Sequence, residues 1–405
     1  MGFDSRVNRG LIVFVCLTGL YFFSIFHRVG IAAIASDLQS DFGTNASILG
    51  LMSGMYFYAY AIAQIPAGLM ADKFGVRKTL TVFGLVAVLG NLLFSISPTI
   101  EVLSLGRALI GFGVGGFFVC ALKTLAMNYA RKRYATLTGV LTSLGNVAAI
   151  VASSPLALLS LALGWREAFL VVLFFMMSFV GVAWFLMEDK QEKFVARKRS
   201  VFADLKTVFN NRELLKLVPV PFFVYGFFVS FQGLWVGPFL MDVYGMSKSL
   251  ASFFFLFIGV GFVVAFPIAG VVSDRIRRRK PVVVVGVLLS FVFWLVMTFF
   301  GGSLVDYQIV ALFFFMGFSF GIANIFLTIP VNLCPIEISG LAIGGLNIFN
   351  FVGGGFFQYF VGFMLDSTRQ FNNVLFSYQI IFGIATFCVL VAFISAMRLD
   401  ERVCG

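Results

Sequence analysis

Twelve apolar runs leave this chain few ways to fold; they lie near residues 11–36, 47–70, 79–97, 102–124, 136–160, 168–187, 215–240, 249–272, 281–300, 307–329, 341–365 and 377–397. Each is close to the ~20 residues an α-helix needs to cross the ~30 Å hydrocarbon layer of a bilayer. Inside that layer every backbone polar group must find its partner within the protein, so such runs become helices. A soluble core is excluded by composition, since 60% of the residues are hydrophobic and only 12% are charged, against about a quarter charged in soluble domains. The expected fold class is an all-α membrane protein with twelve transmembrane helices.

A net charge of +11 would suggest nucleic acid in a soluble domain. Here the placement of the cations points to a membrane instead. With both termini cytoplasmic, the inside segments hold 23 of the 29 lysines and arginines, the asymmetry that sets orientation in a bilayer. The long polar segment Glu188–Glu213 separates the sixth run from the seventh. It divides the chain into a six-helix bundle at 1–187, a cytoplasmic linker at 188–214 and a second bundle at 215–405. Within the linker, Val201–Asn210 has enough amphipathic character for a short helix lying on the membrane. Cys16, Cys120, Cys334, Cys388 and Cys404 show neither metal nor disulfide spacing and read as unpaired. No nucleotide-binding loop, metal cluster or catalytic triad is present, so neither an enzyme nor an ATP-driven pump is expected, and no cofactor or metal.

The chain repeats itself. Residues 68–80 end one apolar run, turn over a charged hairpin and begin the next. Gly68 would let two helices approach closely, Gly75 would permit a tight turn, and Arg77 and Lys78 suit an anionic leaflet. The pairs Gly68/Gly270, Asp72/Asp274, Arg77/Arg279 and Lys78/Lys280 all stand 202 positions apart. One fixed offset at four positions marks two homologous halves.

Gly68-x-x-x-Asp72-Lys73-x-Gly75-x-Arg77-Lys78 closely resembles the loop 2–3 signature of the major facilitator superfamily. The weaker copy around Asp274 falls where that family has loop 8–9. Arg107-x-x-x-Gly111-x-Gly113-x-Gly115-Gly116 resembles its fourth-helix motif. The resemblance spans essentially the whole chain and implies two pseudo-symmetric six-helix bundles, alternating access, and one substrate site near the midplane between the halves. It further implies that Asp72 lies near the start of span eleven, close to Glu337 and a capping Ser339, as a latch released when the cytoplasmic side opens. Arg107 is associated with proton coupling in the family, with helix packing as the competing role.

Within the membrane, Arg28 is the most informative position, roughly 13 Å below the outer end of span one. A buried guanidinium costs several kcal/mol unless paired, and no Asp or Glu lies mid-span to pair it, so it should face a cavity and meet an anion. A structural ion pair or a carbonyl bond is the alternative. The position resembles the first-helix arginine of organophosphate exchangers and sugar-acid symporters. Phosphate-ester exchangers carry a second arginine in span seven, but the equivalent position here is Ser230, with Tyr225, Gln232 and Trp235 nearby. That set suits a monocarboxylate, zwitterion or hydroxylated acid better than a doubly charged phosphate.

Further candidate substrate ligands are His27, which could instead be a proton-coupling group or a packed tautomer, and Tyr56, Tyr60 and Gln64, four residues apart on one face of span two. Asn146, Asn324, Asn347, Asn350 and Gln358 add neutral amides, for which interhelical hydrogen bonding is the plainer role. Lys123 could snorkel to the headgroups or act as a second cation. Candidate gating residues are Gly68, Asp72, Gly75, Arg77, Lys78, Arg107, Asp274 and Glu337. Gly353, Gly354 and Gly355 would allow span eleven either to bend or to pack closely. The expected function is secondary active transport of a small organic anion or zwitterion by a monomer in a bacterial inner membrane, with a co-transported proton or an exchanged anion. Proton-coupled export of drugs or metabolites is the runner-up, although residues 145–155 lack the paired glycines of that motif. A non-transporting receptor or scaffold is a third class.

Overall fold

The structure is a computed structural model that describes residues 2–128, 131–187, 210–334, 336–368 and 373–401. Most of the expected linker, including residues 201–209 of its amphipathic stretch, and Cys404 lie outside the described residues. Among the described residues there is no strand. In chain order the helices are α1 (Gly2–Val29), α2 (Ile31–Phe42), α3 (Ala46–Phe74), α4 (Val76–Ser95), α5 (Ile100–Asn128), α6 (Arg131–Val151), α7 (Ser154–Leu163) and α8 (Trp165–Leu186). They continue as α9 (Arg212–Tyr244), α10 (Lys248–Ile276), α11 (Lys280–Phe300), α12 (Asp306–Thr328), α13 (Pro330–Leu333), α14 (Ile336–Thr368) and α15 (Val374–Met397). Among the described residues eleven helices are long and apolar enough to cross a bilayer, and counting α6 with α7 as one broken span gives twelve.

That broken span bends by 42°. Its cause is local. Pro155 stands in the first turn of α7, where it offers no N–H to the preceding turn, and Ser153 Oγ donates instead to the Ile150 carbonyl at 2.6 Å. The helix therefore stops at Val151 and restarts at Ser154.

The helices form two compact units, one of residues 1–37 and 55–196, the other of residues 38–54 and 197–405. In the first unit, α5 packs against α3 and α4 through the glycines of its motif. A Cβ on Gly111 would strike the Tyr56 carbonyl, and one on Gly113 would strike the backbone of Phe83 and Ala87. Only glycine lets the backbones come this close, as small residues do at interfaces in membranes. The turn from α3 to α4 runs through Gly75 at φ 92°, a backbone that side chains with Cβ rarely adopt. At Gly68, by contrast, none of the described residues lies within 4 Å of where a Cβ would be. They do not make the close approach expected there.

In the second unit, α10 and α12 close on each other in the same manner at Gly261 and Gly317. Span seven, α9, is not a regular helix. It contains two π-helical stretches, Val220–Tyr225 and Phe231–Trp235, and such stretches concentrate at functional sites. α9 packs on α14, where Gly353 sits against the Phe222 backbone. α14 runs unbroken from Ile336 to Thr368, and Gly353 serves close packing there. Two carboxylates also seat helix starts. Asp366, near the end of α14, accepts from the N–H of Ala46 at 3.1 Å and of Ser47 at 2.8 Å, and from Ser47 Oγ at 2.5 Å. Glu401 accepts from the N–H of Arg279 at 2.7 Å and of Lys280 at 3.0 Å, at the start of α11.

Candidate functional site

In the first unit the expected site residues fall into three environments. Arg28 is half-buried on α1, and its guanidinium carbon lies 5.6 Å from the centre of the Tyr60 ring. Tyr60 and Tyr56, one turn apart on α3, have ring centres 5.9 Å apart, and both side chains are buried. The Tyr56 hydroxyl donates to the Ser24 carbonyl on α1 at 2.7 Å. Gln64, one turn further, is half-buried. The 3.6-residue period places Tyr56 and Tyr60 on one face of α3, as their i, i+4 spacing implies, and the Arg28 guanidinium meets that face from α1.

His27 lies elsewhere. It is fully buried, its ring centre is 5.8 Å from that of Phe26 and 5.9 Å from that of Phe169, and neither ring nitrogen has a hydrogen-bond partner among the described residues. Its carbonyl accepts from Arg107 Nη1 at 2.7 Å. Arg107 is itself fully buried and stands 4.8 Å from the Tyr56 ring centre. The same Tyr56 thus touches α1 through its hydroxyl and Arg107 through its face. Sequence reasoning named all three side chains without joining them.

The third environment is the end of α3. Lys123 Nζ donates to the Ala71 carbonyl at 2.6 Å and pairs with Asp72 Oδ1 at 2.7 Å. Neither the free snorkelling nor the substrate-cation role expected for Lys123 includes this bond. Arg77 lies 4.0 Å from the Trp184 ring centre, and Lys78 is exposed. The side chain of Glu337, expected beside Asp72, is outside the described residues, as is that of Ser339. Asn146 Nδ2 donates to the Thr142 carbonyl one turn back at 2.8 Å.

In the second unit, Gln232 and Trp235 are buried on the second π-helical stretch of α9. The Trp235 indole donates to the Gln358 carbonyl on α14 at 3.1 Å. Asn350 Nδ2 donates to Asn347 Oδ1 at 2.9 Å. Buried with no hydrogen-bond partner among the described residues are Asn350 Oδ1, Ser230 Oγ and both amide atoms of Gln358. Gln358, expected only as one more neutral amide, is fully buried; the aromatic run around it in the sequence gives no sign of that. Asn324 is half-buried at the start of a 3₁₀ turn, Asn324–Thr328. Asp274 is exposed. Among the described residues there is no group of three or more His, Cys, Asp or Glu that could hold a metal.

The sequence profile of the Major Facilitator Superfamily matches residues 17–358 and 222–402. The chain belongs to this superfamily. It is 27% identical over 389 residues to the probable sulfoacetate transporter SauU of Cupriavidus necator, covering 88% of this chain and 87% of that protein. It is 23% identical over 438 residues to the probable galactarate/D-glucarate transporter GudP of Escherichia coli, covering 98% and 96%. Among solved structures it superposes on a D-xylose-proton symporter with a TM-score of 0.81 at 12% identity, covering 97% of this chain and 98% of that one. The fold is that of the superfamily's transporters, with two bundles of membrane-spanning helices.

Proposed function

We propose that the protein moves a small organic anion across the bacterial inner membrane by alternating access, with Arg28 as the group that recognises the carboxylate or sulfonate. The observation that carries this is the placement of a half-buried guanidinium in the last turn of α1, just before the break at Gly30 that separates it from α2, on the face of Tyr60, with Tyr56 and Gln64 on the same side of α3. A guanidinium binds an oxyanion through two parallel N–H bonds, and an aromatic face beside it fixes its plane. Relatives named for sulfoacetate, galactarate and D-glucarate support an organic acid. Within the second unit, Gln232, Asn347 and Asn350 offer neutral polar groups suited to hydroxyl or amino groups. His27 is left out of the substrate set because its ring is enclosed by aromatics. Asp72, Lys123, Arg77 and Arg107 belong to conformational control.

On this reading both termini are cytoplasmic and the monomer is the working unit. The test is counterflow in proteoliposomes preloaded with sulfonates, sugar acids, amino acids or phosphate esters. Exchange of an external radiolabelled monoanion with an internal one of the same class is expected. Exchange confined to phosphate esters, or none with any anion, would overturn the proposal.

A further inference from the structure

The first unit contains a cleft of about 570 Å³ between α1, α6, α7 and α8, lined by none of the candidate substrate or gating residues. It runs from Phe14 to Phe26, about 18 Å along α1 at 1.5 Å per residue. That is more than half of the ~30 Å hydrocarbon layer. It lies against the broken fifth span: Leu144 and Val151 line it before the 42° bend, and Pro155 and Leu159 after it. Among the described residues that line it, Thr18 alone has a polar side chain, and its hydroxyl is committed to the Phe14 carbonyl at 2.8 Å. At the rim, Val15, Leu144 and Phe175 are each about half exposed, so the cleft opens sideways from within the spans. What lies outside that mouth in a bilayer is hydrocarbon.

We infer that this cleft holds one acyl chain of an anionic glycerophospholipid. The charge at its end selects the headgroup. α1 begins with Arg6 and Arg9, the latter about 7 Å along the helix from Phe14, and α6 begins with Arg131, Lys132 and Arg133. Spans one and five are both odd-numbered, so both starts lie on the same side of the membrane. From Arg131 to Val151 α6 carries no acidic residue. An acyl chain seated in the cleft therefore brings its phosphate to an end of the unit rich in cations, where anionic lipid is attracted by about 1 kcal/mol per lysine or arginine.

The test places a photo-crosslinking benzoylphenylalanine at Val15 on the rim. The control is the same group at Leu85, an exposed position on α4 outside the cleft. The protein is reconstituted in vesicles of equal parts phosphatidylcholine and phosphatidylglycerol, and the adducts are read by mass spectrometry. Phosphatidylglycerol adducts at position 15 are expected to exceed phosphatidylcholine adducts several-fold, with near-equal yields at position 85. Leu144→Trp, which fills the mouth, should lower the adduct at position 15 several-fold. The combined Arg131→Gln, Lys132→Gln and Arg133→Gln protein, which leaves the cleft intact, should lose the preference between the two lipids. Equal lipid ratios at both positions, or crosslinking at position 15 to protein rather than lipid, would overturn the inference.

Discussion

At Arg28 the geometry separates charge from shape. Lysine in its place keeps a cation but not the planar fork that matches a carboxylate, so Arg28→Lys is expected to weaken substrate binding about tenfold or more, the loss of one charge-assisted hydrogen bond. Titration calorimetry reads this directly. Arg107 has a different task. It is fully buried, bonded to the His27 carbonyl and stacked on Tyr56, so it ties α5 to α1 and α3. Arg107→Ala should lower stability by about 2–4 kcal/mol through loss of the charged hydrogen bond and the cation–π contact. Tyr56→Phe keeps the ring but deletes the bond to Ser24, and should cost about 1 kcal/mol. Thermal melting in detergent ranks the two variants. Much of this was legible in the sequence. The spacing of Tyr56, Tyr60 and Gln64 reveals a shared face, and a lone mid-span arginine stands out against apolar neighbours. That Arg107 would find the backbone of residue 27 was not legible, because it depends on how α1 packs beside α5, 80 positions away in the chain.

At the scale of elements, carboxylates fasten helix ends. Asp366 holds the first turn of α3 with three hydrogen bonds from Ala46 and Ser47, where orphan N–H groups and the helix dipole favour an anion. Asp366→Ala should cost about 1 kcal/mol, the usual worth of such a cap. Amide hydrogen exchange should show it as faster exchange at residues 46–49 than in the wild type. The Asp72–Lys123 pair is partly exposed, so a double-mutant cycle of Asp72→Asn and Lys123→Met should give a coupling below about 1 kcal/mol. A much larger functional effect of Asp72→Asn on transport rate would then mark a role in gating beyond that pair. Asp366 and Ala46 lie 320 positions apart, and nothing in local pattern links them. The hairpin signature drew attention to Asp72 instead, and its partner Lys123 became clear only once α5 lay beside the end of α3.

For the whole molecule, the length and number of apolar runs and the offset of 202 positions sufficed to read twelve spans and two related halves, because the bilayer leaves the backbone so few solutions. Two runs depart from this: the first, expected at 11–36, is found as α1 and α2 with a break at Gly30, and the fifth, expected at 136–160, as two helices, since hydropathy is blind to the missing N–H of Pro155. Composition also hides the burial of Gln358 and the cleft beside α1, which depend on side-chain packing rather than on period. The central claim, that the protein binds a small organic anion through Arg28, is tested most directly by thermal stabilisation. Purified wild-type protein and Arg28→Ala are melted with and without a panel of sulfonates, sugar acids and amino acids. A ligand at a hundred times its Kd stabilises by about 2.7 kcal/mol. The account predicts that at least one anion raises the wild-type melting temperature, while Arg28→Ala melts like the wild type without ligand and gains nothing with it. An Arg28→Ala protein that melts normally and is stabilised in full by the same anion would contradict it.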